Sequence, residues 1–163
     1  MILLQRDRIL RTIKRMAYQI VEESRGEQTC LIGLNERGFV IAELLYSHIQ
    51  KQTDNKPQLH QLNADDDSDF EMPESVHANA AIVFVDDVVF SGVTMYRAMQ
   101  KISGLSDYKK VFVATLVDRG HRRLPVEAKI TGFHVPTKLN EHVELVVEKG
   151  NPEQVLLTNK INS

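Results

Sequence analysis

The polarity of the chain alternates between two periods. Over residues 7–23, apolar side chains return every three or four positions, at Ile9, Ile13, Met16, Ala17, Ile20 and Val21, which predicts an amphipathic helix. Residues 81–85 are instead a short unbroken apolar run, as expected of a parallel strand covered on both faces, and 29–33 reads as another short buried strand. A second amphipathic helix is predicted over 37–51, a polar turn over 52–57 and a less buried strand over 58–63. Helical spacing resumes over 92–101, with the regular helix starting at or just before Met95. Residues 104–110 lead back to the sheet, 111–117 is another apolar strand, and short strands are predicted at 130–135, 143–147 and 154–157. Strands alternating with helices predict an α/β fold, a parallel sheet flanked by helices.

One segment interrupts this alternation. Residues 64–74 hold four aspartates and two glutamates, too polar to pack, and read as a mobile loop or a small hood. With no repeat, low-complexity tract or linker, all of 1–163 is expected to form one domain. Twenty basic and 22 acidic residues give a net charge of −2, which excludes nucleic-acid binding driven by overall charge but leaves room for a local basic patch. Arg8, Arg11 and Arg15 supply a candidate, since spacings of three and four place them on one face of the first helix; the same stripe also reads as a solvated helix face. Cys30, the only cysteine, cannot form an internal disulfide, so a cytoplasmic location is expected. No segment has the length and apolarity of a membrane span, and the charged start does not read as a signal peptide. The six histidines show no metal-ligand spacing.

The chemistry concentrates after the central strand. Residues 81–85 run into adjacent carboxylates, Asp86 and Asp87, and then into Val88, Val89, Phe90, Ser91, Gly92, Val93 and Thr94. Ligands of open α/β sheets bind beyond the carboxyl ends of the strands. Small residues, hydroxyls and amides leading into a helix form an anion cradle. Two acids just before it suit sugar hydroxyls or a ligand-borne cation, so a molecule carrying a phosphate beside a ribose diol satisfies both halves. The plainer alternative is a helix cap and a solvated acid. Asn35, Glu36, Arg37 and Gly38 follow another strand and read either as a generic βα turn or as a second anion cradle. Val117, Asp118, Arg119 and Gly120, followed by Arg122 and Arg123, read as a solvated loop with a surface arginine pair or as a dock for a flat base.

Residues 81–94 closely resemble the phosphoribosyl-pyrophosphate (PRPP) motif of type I phosphoribosyltransferases. The segments 117–125, VDRGHRRLP, and 31–38, LIGLNERG, resemble those of the pyrimidine operon regulators that double as uracil phosphoribosyltransferases (PyrR). The resemblance spans roughly residues 8–156. It implies the type I fold, a parallel sheet flanked by helices with a small hood and a flexible loop. Asp86 and Asp87 would contact the ribose hydroxyls and act with Arg37 in catalysis. The amides of residues 89–93, with Ser91, Gly92 and Thr94, would hold the 5′-phosphate. Asn35 to Gly38 would hold pyrophosphate, and the backbone of Val117 to Gly120 would read the base. Magnesium would arrive with PRPP near Asp86 and Asp87, not in a protein cage.

The implied reaction is uracil plus PRPP to UMP plus pyrophosphate, in a homodimer or higher oligomer with no membrane association. The alternatives are a nucleotide-sensing RNA regulator and a transferase for another base. Glu36 stands where the family more often has Thr, Val93 where the PyrR pattern has Arg, and Tyr18 where it usually has His. Residues 62–71, the counterpart of the mobile loop, lack the Arg found near this point in PyrR proteins. Such a loop is expected to bend away from the site, to meet magnesium, or to slow the enzyme.

Overall fold

The computed structural model describes residues 1–159. The elements run in the order β1 (Ile2–Gln5), α1 (Arg6–Ser24), β2 (Thr29–Leu34), α2 (Asn35–Gln52), β3 (Gln58–Leu62), β4 (Ala81–Val89), α3 (Val93–Gln100), β5 (Lys110–Asp118), β6 (Ile130–His134), β7 (Glu141–Glu148) and β8 (Asn151–Asn159). Five strands form a parallel sheet in the order β3-β2-β4-β5-β6, and three form an antiparallel sheet in the order β1-β8-β7.

The apolar runs are buried on both faces because alternate residues enter different cores. Leu31, Val83, Val85, Ala114 and Leu116 pack under α1 and α2 with Ile9, Ile13, Met16, Ile41 and Leu45. Cys30, Ile32, Ile82, Phe84 and Val113 face the other way, against Met95, Ala98 and Ile102 of α3 and its exit. Gly33 permits the close seating of α2 on the sheet: a Cβ there would stand 2.6 Å from Cα of Phe39.

Three expectations change. First, β1 is absent from the sequence-based reading, because its three apolar residues run straight into a helix and leave no periodic signal of their own. Second, the small hood is the β1-β8-β7 sheet, made by the two ends of the chain; Leu4, Val143, Leu145 and Val155 join it to the α1–α2 core. Third, the acidic segment does pack: Ala64 is buried, and Phe70 bridges in parallel to Ile102. Residues 104–110 lead back to the sheet through a short 3-10 turn at Leu105–Asp107 and enter β5 at Lys110. Boundaries also shift toward the site. Strand β4 continues through both aspartates to Val89, and α2 begins at Asn35.

Candidate functional site

The carboxyl ends of β2, β4 and β5 converge on one side of the parallel sheet. Asp86, still in strand geometry, is only 7% exposed, and its Oδ1 accepts the backbone N–H of Asp87 at 2.9 Å. Burial, reinforced by the neighbouring Asp87 carboxylate, pushes the Asp86 carboxyl well above the usual carboxylate range. Gly38 in the first turn of α2 lies directly against it. A Cβ at that position would be 2.7 Å from the carbonyl oxygen of Val85 and 3.3 Å from Cα and Oδ1 of Asp86.

Beyond the aspartates, Gly92 adopts φ 86° and precedes α3 with no side chain to cap the helix. Its left-handed backbone suits glycine and leaves the first-turn amides after Val93 without a side-chain cap. The Val93 N–H reaches Ser91 Oγ at 3.3 Å. A concavity of about 180 Å³ is lined by Asp86, Val88, Val89, Phe90, Ser91, Gly92, Thr94 and Met95, which brings the expected phosphate segment together around one space. Val93 belongs to α3 itself, outside that lining.

A neighbouring pocket of about 320 Å³ is lined by Leu34, Asn35, Glu36, Arg37, Asp65, Asp86 and Asp87. Asn35 has φ 56°, one of the few non-glycine residues in the left-handed region, which Asn tolerates better than most residues. The Arg37 guanidinium is directed to the hood, where Nε donates to Leu145 O at 3.0 Å and Nη2 to Glu144 Oε1 at 3.2 Å. Its charge, expected at the pyrophosphate, is shared with β7. Asp65 was not among the expected site residues; its sequence neighbourhood shows only a polar run, and its place in the pocket comes from contacts to Asn35 and Arg97. Among the described residues no group of three or more His, Cys, Asp or Glu side chains is arranged to hold a metal ion.

The third part is the 118–124 segment. The backbone N–H of Arg119 donates to Val89 O at 3.0 Å, and the N–H groups of Arg123 and Leu124 reach Ser91 O at 2.9 and 3.3 Å. Of the expected surface arginine pair, Arg123 keeps an exposed side chain, whereas Arg122 is held within the fold. Arg122 clasps Asp118 Oδ2 at 2.8 Å, Phe90 O at 2.8 Å and Val126 O at 2.7 Å. Arg119 is buried, with its guanidinium 4.1 Å from the centre of the Phe90 ring, Nε donating to Thr137 Oγ1 at 3.0 Å and Nη2 donating to Glu141 O. Burial lowers its pKa, against the raising influence of Glu141. His121 stands edge-on to Phe90 and shares a hydrogen bond with Thr137 O. Thr137 escaped the sequence reading because its partners, Arg119 and His121, lie 18 and 16 residues away.

Of the basic stripe on α1, Arg8 lies 5.1 Å over the Phe133 ring, and Arg15 donates to Gly132 O at 2.7 Å and Gln19 Oε1 at 3.0 Å. No helix among the described residues is long and apolar enough to cross a membrane.

Comparison with known proteins agrees with this geometry. "Bifunctional protein PyrR" of Thermoanaerobacter is 33% identical over an alignment of 164 positions, covering 92% of this chain and 92% of the relative. The protein of the same name from Haemophilus influenzae is also 33% identical, over 91% of this chain and 92% of its own length. That of Enterococcus faecalis is 31% identical over 93% of this chain and 92% of the relative. The fold is shared with a hypoxanthine-guanine phosphoribosyltransferase from Bacillus anthracis, at a TM-score of 0.73 and 18% identity over 96% of both chains. It is shared also with the hypoxanthine phosphoribosyltransferase of Trypanosoma cruzi, at a TM-score of 0.64 and 17% identity over 83% of this chain and 76% of that one. The model of the phosphoribosyl transferase domain matches residues 2–142, which include both cradles and the acid pair, and the chain belongs to the phosphoribosyltransferase family.

Proposed function

We propose that the chain transfers the 5-phosphoribosyl group from PRPP to uracil, giving UMP and pyrophosphate, and that residues 1–163 act as one domain in a cytoplasmic homodimer or larger oligomer. The observation that carries this reading is the adjacent pair of buried Asp86 and half-buried Asp87 between two anion cradles, with the 118–120 backbone bonded to the end of β4. The amides at the start of α3, with Ser91 and Thr94, hold the 5′-phosphate. Asp86 and Asp87 accept hydrogen bonds from the ribose hydroxyls and face the positive charge that develops on the ribosyl ring. The bond from C1 to pyrophosphate breaks, the bond from C1 to uracil N1 forms, and the N1 proton passes to solvent. Asn35 to Gly38 receive the pyrophosphate, with Arg37 exchanging its hood partners for the leaving group. Backbone groups of Val117 to Gly120 orient the base.

The carboxylates here are hard oxygen donors suited to magnesium. Since no three of the described side chains form a cage, Asp86 and Asp87 would hold it through PRPP oxygens and water. When bound with PRPP, magnesium screens the charge of the departing pyrophosphate.

The PyrR relatives are named bifunctional, which leaves room for a second role in the same protein; the alternative raised by the sequence, binding of RNA under nucleotide control, is the candidate. Arg11, on the exposed face of α1 with Arg8 and Arg15, is the place to look for it. The test is mass-spectrometric detection of nucleotide after incubation with PRPP, magnesium and a pool of free bases. UMP as sole product supports the reading, and another nucleotide keeps the transfer but replaces the base. No product from folded protein removes the enzymatic reading in favour of the regulator.

A further inference from the structure

The acidic segment does not bend away from the site, and the reason lies in one lysine. Lys101, one residue past α3, has a side chain only 15% exposed. Its Nζ sits among four oxygens of the acidic segment: Asn63 O at 2.5 Å, Asp66 O at 2.6 Å, Ser68 O at 2.9 Å and Asp66 Oδ1 at 3.2 Å. Backbone carbonyls converging with a carboxylate on one point form the kind of shell that surrounds a bound cation, and here an ammonium tethered to the fold fills it. Asp66 is committed to this clasp. Hydrogen bonds from the Ser68 side chain and backbone, and then from Lys101, hold its carboxyl down at about 2.

The clasp orders the residue next to it. Ala64 N–H donates to Asn35 Oδ1 at 3.0 Å, and Asn35 Nδ2 donates to Asp65 Oδ2 at 3.3 Å. Arg97 Nη1 stands 3.8 Å from Asp65 Oδ1, an exposed pair that contributes little by itself. Asp65 thereby joins Glu36, Asp86 and Asp87 in lining the 320 Å³ pocket, and its charge adds to those that raise Asp86. A pyrophosphate group entering so acidic a pocket without a cation meets like charge on several sides.

We propose that Lys101 is a positioning residue that pins the acidic segment to the site, so that the Asp65 carboxylate faces the magnesium-bearing side of PRPP and makes binding of PRPP depend on magnesium. This rests on the PRPP reading given above. Lys101 pairs with Asp66, while Asp65 is the one aspartate of 65–69 that lines the pocket.

Calorimetric titration of PRPP, with and without magnesium, into wild type, Lys101→Met, Asp65→Asn and the double variant tests it, alongside hydrogen exchange of residues 63–68. Lys101→Met is expected to speed exchange across 63–68 and to weaken binding of magnesium-PRPP about tenfold. Without magnesium, binding is expected to be unchanged or tighter. Asp65→Asn, an exposed substitution that leaves the core intact, is expected to give the same loss with slow exchange retained. The double variant is expected to lose no more than either single one. Faster exchange in Lys101→Met with unchanged magnesium-PRPP affinity would overturn the proposal, as would losses that multiply to about a hundredfold in the double variant. A wild type that fails to bind PRPP at all would remove the transferase reading and this role together. Full affinity in both single variants would remove this role alone.

Discussion

Replacing Gly38 by alanine tests the contact between the pyrophosphate turn and the acid pair. The added methyl carbon would stand 2.7 Å from Val85 O, closer than a carbon and a backbone oxygen approach in folded proteins, with Asp86 Cα and Oδ1 next at 3.3 Å. The obstacle is the backbone of the central strand, so α2 must lift or β4 must move. Overpacking of this kind costs about 1–3 kcal/mol. Alanine recovers up to about 1 kcal/mol of helix propensity within α2. A net loss of about 1 kcal/mol corresponds to a fall of about 2–4 °C in Tm for a domain of this size. The effect on turnover is larger, because a displacement approaching 1 Å between catalytic groups and substrate costs up to about a hundredfold. Calorimetric melting with initial rates at varied PRPP is therefore expected to show a small drop in Tm beside a drop in kcat/KM of more than about tenfold. A raised Tm with intact kcat/KM would refute the reasoning, since helix propensity alone would then be acting and Asp86 would not depend on this contact.

Three other outcomes follow from the same geometry. Because burial holds the Asp86 carboxyl above the usual range, the folded protein keeps a proton that the unfolded chain has already released, and stability falls as pH climbs from the ordinary carboxylate value through the raised one. Asp86→Asn keeps an oxygen for the Asp87 N–H, so it should raise the neutral-pH Tm, flatten the dependence of Tm on pH and abolish PRPP binding; a lower Tm at pH 7 would show that the charge is stabilised by something else. Thr94→Val removes one hydroxyl from the phosphate cradle. With hydrogen bonds to charged groups contributing about 1.5–3 kcal/mol, KM for PRPP should rise about 10- to 100-fold, and an unchanged KM would take Thr94 out of the cradle. Burial pushes the Cys30 thiol up to about 12, so the native protein should resist alkylation at pH 8 and react only once unfolded; rapid native labelling would show that the inner core opens.

Much of this protein was written locally. Period-3.6 patterning placed both amphipathic helices and continuous apolar runs placed the inner strands, because a packed helix must be apolar along one stripe and a strand buried on both faces must be apolar throughout. The order strand, acid pair, glycine and hydroxyl was legible for the same reason: phosphate and ribose need those groups within one short stretch of backbone. Other features required the chain to close on itself. Ile2–Gln5 became a strand only by pairing with residues 154–156 at the opposite end, an association that no local window contains. The acidic segment reads as unpackable in sequence, yet Lys101, more than thirty residues on, supplies the charge that orders it. Arg37, expected at the leaving group, spends its hydrogen bonds on β7 more than a hundred residues away. The sequence by itself determined the sheet, the helices and the type of ligand chemistry, since these depend on neighbours along the chain. Only the tertiary structure decided which charges face the pocket, because each is set by a partner brought from a distant part of the chain.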